Sequence, residues 1–509
     1  VLDRIIFCRD GFLFKKKEEK AMYYPTLDQV KEIIKNNEYD LVPISKEIYG
    51  DSITPIEVMR ILKNYSKHCY MLESVDDTKR WGRYTFMGYK PKSEITCLNN
   101  VMNVDGKEFK VDHPGIYIKE LLKRYRSPKI AGLPTFTGGL VGYFAYDYFK
   151  YSEPVLNLKS DDKEGFNDVD LMLFDQVICF DNYKQKIILI ANAKVKDLDE
   201  SYQKATAKLD ELHELIIKGS KAKVEPLKLK GEFNPLFSQD EYCAMVNKAK
   251  KYIKEGDIFQ IVLSNHLEAE ASGSLFDTYR VLRTTNPSPY MFYFSSDNQE
   301  IAGASPETLV KLEDQTLYTY PLAGTRPRGK DEREDKQFEE SLLTDQKELA
   351  EHNMLVDLGR NDIGKIAKFG SVTVEKYLEI LRFSHVMHIG STVSGTILDN
   401  LEAVDAIDAL LPAGTLSGAP KIRACQIINE LENDRRGIYG GAVGYIDFTG
   451  NLDTCIAIRL AYKKNNKVHV RSGAGIVYDS VPENEYQECL NKAKAVVKAL
   501  KIANGGIEQ

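Results

Sequence analysis

Short apolar runs separated by polar turns alternate with longer stretches of helical period along this chain. "DLMLFDQVICF" and "QKIILIANA" flank the polar "DNYK", which predicts a hairpin whose Asp-Asn turn tolerates unusual backbone angles. In "LDESYQKATAKLDELHELIIKG" the apolar positions recur at three and four, predicting an amphipathic helix stopped by Gly219. The lysine-rich "KGSKAKVEPLKLKGEFNP" that follows is the candidate boundary between an amino-terminal region, 1–235, and a second region, 236–509. There Ser238 is placed to cap a helix running through Lys254, Gly256 to stop it, and "IFQIVLS" to continue as a buried strand. Later, "GGAVGYIDF", "LDTCIAIRLAY" and "NKVHVRSGAGIVY" are spaced by short polar turns and predict an antiparallel meander. A proline-started amphipathic helix, "PENEYQECLNKAKAVVKALKIA", closes the pattern. Strands joined this way, with helices grouped between them, predict an α+β fold rather than a doubly wound parallel sheet.

Composition narrows the function classes. The 509 residues are 43% hydrophobic, ample for large buried cores. With 69 basic and 75 acidic residues, the formal charge of -6 gives no global reason to bind nucleic acid or an anionic membrane, though a local cationic pocket remains open. The eight cysteines are scattered without a CxxC or a close Cys/His cluster, so neither a zinc site nor a disulfide framework is indicated. No apolar run is long enough to span a bilayer, and "VLDRIIFCRDGFLF" carries acids on both sides of its apolar patch, unlike a signal peptide. A cytoplasmic location is the resulting expectation.

Candidate chemistry comes in three forms. Two acidic pairs, Glu348/Glu351 in "KELAEH" and Glu485/Glu488 in "ENEYQE", lie on predicted helices with both carboxylates along one face. Such carboxylates meeting in a cleft would repel one another unless joined by a cation, and oxygen ligands with incomplete protein coordination suit Mg2+; solvated helix faces are the alternative. Three glycine-rich turns, "PLAGTRPRG", "PAGTLSGAPK" and "RSGAGIVY", can offer backbone N–H donors to an anionic group. Arg326 and Arg328 within the first can face a substrate or pair internally. "GRNDIGKI" has the glycine and lysine spacing of a phosphate loop but lacks the following Ser/Thr, so it reads as a helix end, with Arg360 and Asp362 placed to pair. "FSHVMHIG" sets His385 and His388 three apart, without metalloprotease spacing. In "GASPETLV", Glu307 follows an apolar approach, as a turn residue or as a partly buried acid.

In this order the motifs resemble those of the chorismate-utilising enzymes, and within them the anthranilate synthase component I branch. "GDIFQIVLS", "GASPETLV", "YPLAGTRPRG", "KELAEHNMLVDLGRND", "FSHVMHIGSTVSG", "LLPAGTLSGAPKIRA", "IYGGAVGYIDF", "IRLAYKKNNKVHVRSGAGIVYDS" and "PENEYQE" carry the resemblance over most of 238–503. It implies an antiparallel β-sandwich with flanking helices. It also implies that Gly324, Thr325, Tyr439, Arg459, Gly473, Ala474 and Gly475 bind chorismate, and that Glu351 and Glu488 hold Mg2+ with Glu348 and Glu485 in support. His388 corresponds to the family's catalytic histidine, and Glu307 to the acid that protonates the departing C4 hydroxyl. The implied reaction adds ammonia at C2 of chorismate and then eliminates pyruvate to leave anthranilate.

Two positions separate relatives. Isochorismate and salicylate synthases carry a lysine at the place of Gln260 to activate water, and glutamine cannot act as that base. Aminodeoxychorismate synthase component I commonly has a nucleophilic lysine where this chain has Ala323. The resemblance therefore implies direct attack by ammonia, and the chain has no GxCxGxQ element of a glutamine amidotransferase, so a separate amidotransferase subunit is the expected partner. "MLESV" and "NPSPYMFY" resemble the family's tryptophan-binding elements, with Met71 in place of leucine. They imply an inhibitory tryptophan site at Ser74, Pro289, Tyr290 and Met291, with Glu73 a further contact. The para-aminating relative and a catalytically silent tryptophan-binding subunit are the alternatives.

Overall fold

Several strands are buried on both faces: in Gly139–Phe144, Gln176–Asp181 and Tyr290–Ser295 almost no residue reaches solvent. Their sequences accordingly lack a clean alternation of apolar and polar positions. The reason is visible in the computed structural model, which describes residues 22–35, 38–74, 82–156, 160–382 and 386–508. Two antiparallel sheets of 12 strands each pack through a shared core containing Tyr70, Phe174, Phe292, Ile301, Val443 and Leu460. Helices including Leu198–Lys218, Phe276–Thr285 and Pro482–Ala503 cover the outer face of one sheet. Gln346–Gly364 and Ala403–Leu410 cover the other. The α+β sandwich with flanking helices is thus the observed architecture. The segment 1–21, with "VLDRIIFCRDGFLF", and His385 lie outside the described residues.

The predicted helices form with their terminators. Ser238 caps Gln239–Glu255 in a reciprocal box with Glu241, and Gly256 ends it in the left-handed region at φ 85°. The lysine-rich boundary segment contains a strand, Lys228–Pro235, paired with Gln260–Ser272. Both sheets draw strands from either side of residue 235, so the division there is one of sequence and not of sheets.

Two long apolar runs differ from their predicted form. "DLMLFDQVICF" is not one strand: Val169–Phe174 lies in one sheet and Gln176–Asp181 in the other, and only the second half pairs with Lys186–Lys194. "LDTCIAIRLAY" likewise splits into Leu452–Ile456 and Leu460–Lys464, so the predicted meander is two hairpins in different sheets. Arg459 takes φ 53° at this crossover, a conformation uncommon for a non-glycine residue. The apolar pattern runs on without a break because the crossover itself is buried, Ala457 completely.

A second crossover, between Gln299–Ser305 and Thr308–Glu313, is stitched to the Arg459 crossover. Ile456 N–H donates to the Glu307 carbonyl at 2.9 Å, Ala304 N–H to the Arg459 carbonyl at 3.1 Å, and Ser305 Oγ to the Ile456 carbonyl at 2.7 Å. Nearby, the buried Arg436 bonds Glu432 through Nη2 at 2.6 Å and Nε at 2.9 Å, and donates to the carbonyls of Leu416 and Val262. Glu432 also accepts from Ser264 N–H and Oγ. The pair therefore ties the Lys421–Glu432 helix to Gln260–Ser272 and to the turn at Leu416. Neutralising one partner strands the other charge without water: Glu432→Gln is expected to lower stability by about 3–5 kcal/mol, read as an earlier urea unfolding midpoint.

Candidate functional site

The glycine turn at Leu322–Pro327 is a strand whose pairing shifts between Ala323 and Arg326. Gly324 lies there at φ 65°, and a Cβ on it would stand 2.8 Å from Leu342 and 3.1 Å from the Glu348 carboxylate. Only glycine meets both conditions without strain. His388, on Val386–Thr396, faces this turn: its Nδ1 is 2.8 Å from the Gly324 carbonyl and 3.1 Å from Thr325 Oγ1. A carbonyl only accepts, so Nδ1 carries the proton and Nε2 the lone pair. Burial lowers the imidazole's pKa, and the carbonyl partly opposes that shift.

Gln346–Gly364 carries Glu348 and Glu351, and Pro482–Ala503 carries Glu485 and Glu488. The fold brings these glutamates into one electrostatic field. Burial raises the Glu351 pKa, and repulsion from Glu348 and Glu488 adds to it; burial also raises Glu485, with Glu488 adding. Lys492 opposes both shifts and bonds Glu488 at 2.7 Å. No three of these carboxylates converge within 4.8 Å as ligand atoms among the described residues. Their hard oxygens and mutual repulsion fit Mg2+ with water completing the shell.

Glu307 sits on the crossover between Gln299–Ser305 and Thr308–Glu313. Burial pushes its carboxyl up to about 7, with Thr415 and then Lys492 pulling the other way. The Thr415 hydroxyl is buried and approaches without ordinary hydrogen-bond geometry. Both residues line a narrow cavity of about 50 Å³ with Tyr320 and Pro321. Arg459, on the crossover between Leu452–Ile456 and Leu460–Lys464, donates to the Lys492 carbonyl at 2.6 Å. Burial lowers its pKa, while Tyr439 and Glu488 beside it act to raise it. A Cβ on Gly473 would come within 3.0 Å of the Tyr439 hydroxyl, and one on Gly475 within 2.9 Å of Gln260 Nε2. Ala474 between them is fully buried.

These contacts form a continuous series from His388 and Gly324 through the glutamates and Lys492 to Glu307, Arg459, Tyr439 and Gly473. Arg326 and Arg328 are settled as internal pairs, with Asp345 at 2.8 Å and Asp335 at 2.6 Å. "GRNDIGKI" ends a helix, as its sequence predicts, but Arg360 pairs with Asp357, and Asp362 with Lys421. Lys492 and Thr415 were not picked out as individual site residues by sequence. Lys492 stands four residues after Glu488 on the same helical face, the one signal that could have found it.

A second cavity, about 270 Å³, opens between the sheets. Glu73, Ser74, Pro289, Tyr290 and Met291 all line it, with Phe86 and Tyr445. Ser74 Oγ is buried and has no hydrogen-bond partner among the described residues. The Glu73 carboxylate is already bonded by Arg283 at 2.7 Å and by Tyr279. The Tyr290 hydroxyl bonds Thr308 and Asp453, each at 2.9 Å.

The profile of the chorismate binding enzyme family matches residues 67–498, and the chain belongs to that family. It is 43% identical over 494 residues to anthranilate synthase component 1 of Acetivibrio thermocellus, covering 95% of this chain and 99% of the relative. Against the Aquifex aeolicus protein of the same name the identity is 42% over 492 residues, covering 95% and 99%. The crystal structure of anthranilate synthase component I from Streptococcus pneumoniae superposes with a TM-score of 0.74 at 39% identity, covering 88% of this chain and 98% of that one. The menaquinone-specific isochorismate synthase of Escherichia coli, at 20% identity and TM-score 0.67, covers 93% and 98% and shares the fold.

A carboxyl whose folded pKa exceeds its unfolded value loses stabilising effect as pH rises between the two. For Glu307 that window runs from the ordinary 4.5 to about 7. Glu307→Gln cannot ionise, so at pH 8 it is expected to be more stable than the parent, by up to about 3 kcal/mol. The gain should disappear near pH 5 in thermal unfolding followed across pH.

Proposed function

We propose that this chain is the chorismate-consuming component of an anthranilate synthase, forming anthranilate and pyruvate from chorismate and ammonia. One observation carries the choice of nucleophile. At the two positions that distinguish its relatives, this pocket has the buried Ala323 methyl and the Gln260 amide beside Gly475, neither of which can attack carbon or deprotonate water. The long, near-complete likeness to relatives bearing that name supports the same reading.

Arg459, Tyr439 and the backbone of Gly473, Ala474 and Gly475 orient the substrate's carboxylates and ring, with Gly324 and Thr325 opposite. Glu351 and Glu488, supported by Glu348 and Glu485, would hold Mg2+, whose charge neutralises a substrate carboxylate. As ammonia bonds to C2, the ring double bonds shift and the C4–O bond breaks. Glu307, whose burial pushes its carboxyl up to about 7 and so keeps a large protonated fraction at neutral pH, gives its proton to the leaving oxygen, which departs as water. Loss of the C2 proton and cleavage of the enolpyruvyl ether then release pyruvate and leave the aromatic amine. His388, anchored by the Gly324 carbonyl, presents Nε2 to the pocket as an acceptor. Ammonia comes from a separate glutamine amidotransferase subunit.

Tryptophan would occupy the 270 Å³ cavity, where the Ser74 hydroxyl awaits a partner. The Tyr290–Thr308 hydrogen bond leads from that cavity to the residue beside Glu307, giving inhibition a physical route. The para-aminating alternative is disfavoured by Ala323, and the silent-subunit alternative by the assembled Glu307, Arg459 and glutamate groups.

The deciding assay supplies chorismate, Mg2+ and ammonium and follows anthranilate fluorescence. Glu307→Gln is expected to lower kcat about 10²–10⁴-fold with KM for chorismate little changed, and formation of a para-amine or of no amine by the parent chain would overturn the reading. Glu351→Gln and Glu488→Gln should each raise the Mg2+ concentration needed for half-maximal rate. For the second cavity, Tyr290→Phe is expected to retain tryptophan binding by calorimetry while losing much of the inhibition. Unchanged inhibition in that variant would refute the proposed route.

A further inference from the structure

Away from the glutamates, three ligand-type side chains meet, the two histidines buried and the carboxylate partly exposed. His266 lies on Gln260–Ser272, His469 on the paired strand Lys467–Ile476, and Glu164 on the connection entering Val169–Phe174. His266 Nε2 and His469 Nδ1 are 3.0 Å apart, and Glu164 Oε1 is 3.8 Å from the first and 3.4 Å from the second. They are the one group of three such residues whose ligand atoms all lie within 4.8 Å of one another among the described residues.

A hydrogen-bonded imidazole pair explains the 3.0 Å contact but not the carboxylate. One proton at most lies between the two nitrogens, and Glu164 Oε1 at 3.4 Å faces them without a hydrogen bond to either. Around a tetrahedral ion with ligand bonds of about 2.0–2.1 Å, ligand atoms stand about 3.3–3.4 Å apart. The three observed separations bracket that value.

The surroundings suit an ion as well. Tyr462 donates to Glu164 and stacks on the His469 ring, with centroids 4.6 Å apart. Arg436 and Arg471 are matched by Glu432 and Asp434. Glu164, partly exposed, has no lysine or arginine within 4 Å among the described residues, and Arg471 and Lys464 act on its carboxyl only from farther off, so a cation at Oε1 would meet a carboxylate without a close ion pair.

The geometry points to a site for a zinc-class divalent cation held by Glu164, His266 and His469, which would fasten the 160–168 connection to the sheet carrying the two histidines. Two imidazoles and a carboxylate favour zinc over the hard ions that the glutamate cleft takes. A water or Glu268, whose Oε2 is 4.0 Å from His469 Nδ1, completes the set. The site goes beyond chorismate chemistry and does not depend on it.

The test uses the full chain, stripped with chelator and kept in excess Mg2+. Zn2+ titrated by calorimetry should bind once per chain and raise the thermal midpoint by at least about 2 °C at saturation. Co2+ in its place should give the visible absorption of a tetrahedral site, a readout that requires no variant. Glu164→Gln, which keeps both imidazoles, and His469→Gln should each weaken Zn2+ binding at least tenfold. The absence of a tetrahedral Co2+ spectrum, or Zn2+ binding unchanged in both variants, would overturn the assignment.

Discussion

Everything in the pocket depends on how the backbone passes between the two sheets. A chain leaving one sheet for the other must break its ladder, and the freed N–H and C=O groups are buried where no water can serve them. Here the two breaks satisfy each other, through Ile456 N–H to the Glu307 carbonyl and Ala304 N–H to the Arg459 carbonyl. The mutual bonding fixes the spacing of an acid and a guanidinium that are far apart in sequence. It also explains why Arg459 tolerates a left-handed backbone: its neighbours over-determine the position.

Around that frame the pocket is electrostatically unfinished. Four glutamates and Glu307 are answered by Lys492, Lys347, Arg326 and Arg459, and burial still raises the pKa of Glu307, Glu351 and Glu485. A surface this acidic weakens the folded state at neutral pH and suits a ligand set that brings cations and shared protons. Arg326 and Arg328, which the sequence left open between facing a substrate and pairing internally, pair with Asp345 and Asp335, and Arg326 also reaches Glu348 at 3.5 Å.

Much of this was legible beforehand. Helix ends at Gly219, Ser238 and Gly256 followed from capping chemistry, and ordered motifs pointed to the residues that the fold assembles. What was not legible had physical reasons. The crossover at 457–459 is hidden because apolar residues flank it closely on both sides, and the one at Asp175 because a single polar step within an apolar run does not reveal that the chain changes sheets. Lys492 is one lysine among many until the helix partner carrying Glu351 is known. Glu164, His266 and His469 are spread over more than three hundred residues and carry no local spacing, so only the strand pairing reveals them.

The order of strands also bears on how the molecule can be made. Leu460–Lys464 and Lys467–Ile476 lie inside their sheet, between Gln299–Ser305 and Gln260–Ser272, and Ala442–Asp447 and Leu452–Ile456 bridge early and middle strands of the other. During synthesis, therefore, both sheets stay open along interior edges until nearly the whole chain has emerged. Those edges are strongly apolar and of the kind that pairs with foreign strands. The amino-terminal strands form a contiguous block in each sheet, so what an early-folding first half leaves uncovered is one apolar edge per sheet, and the growing chain's exposure to mispairing is written into its sheet order.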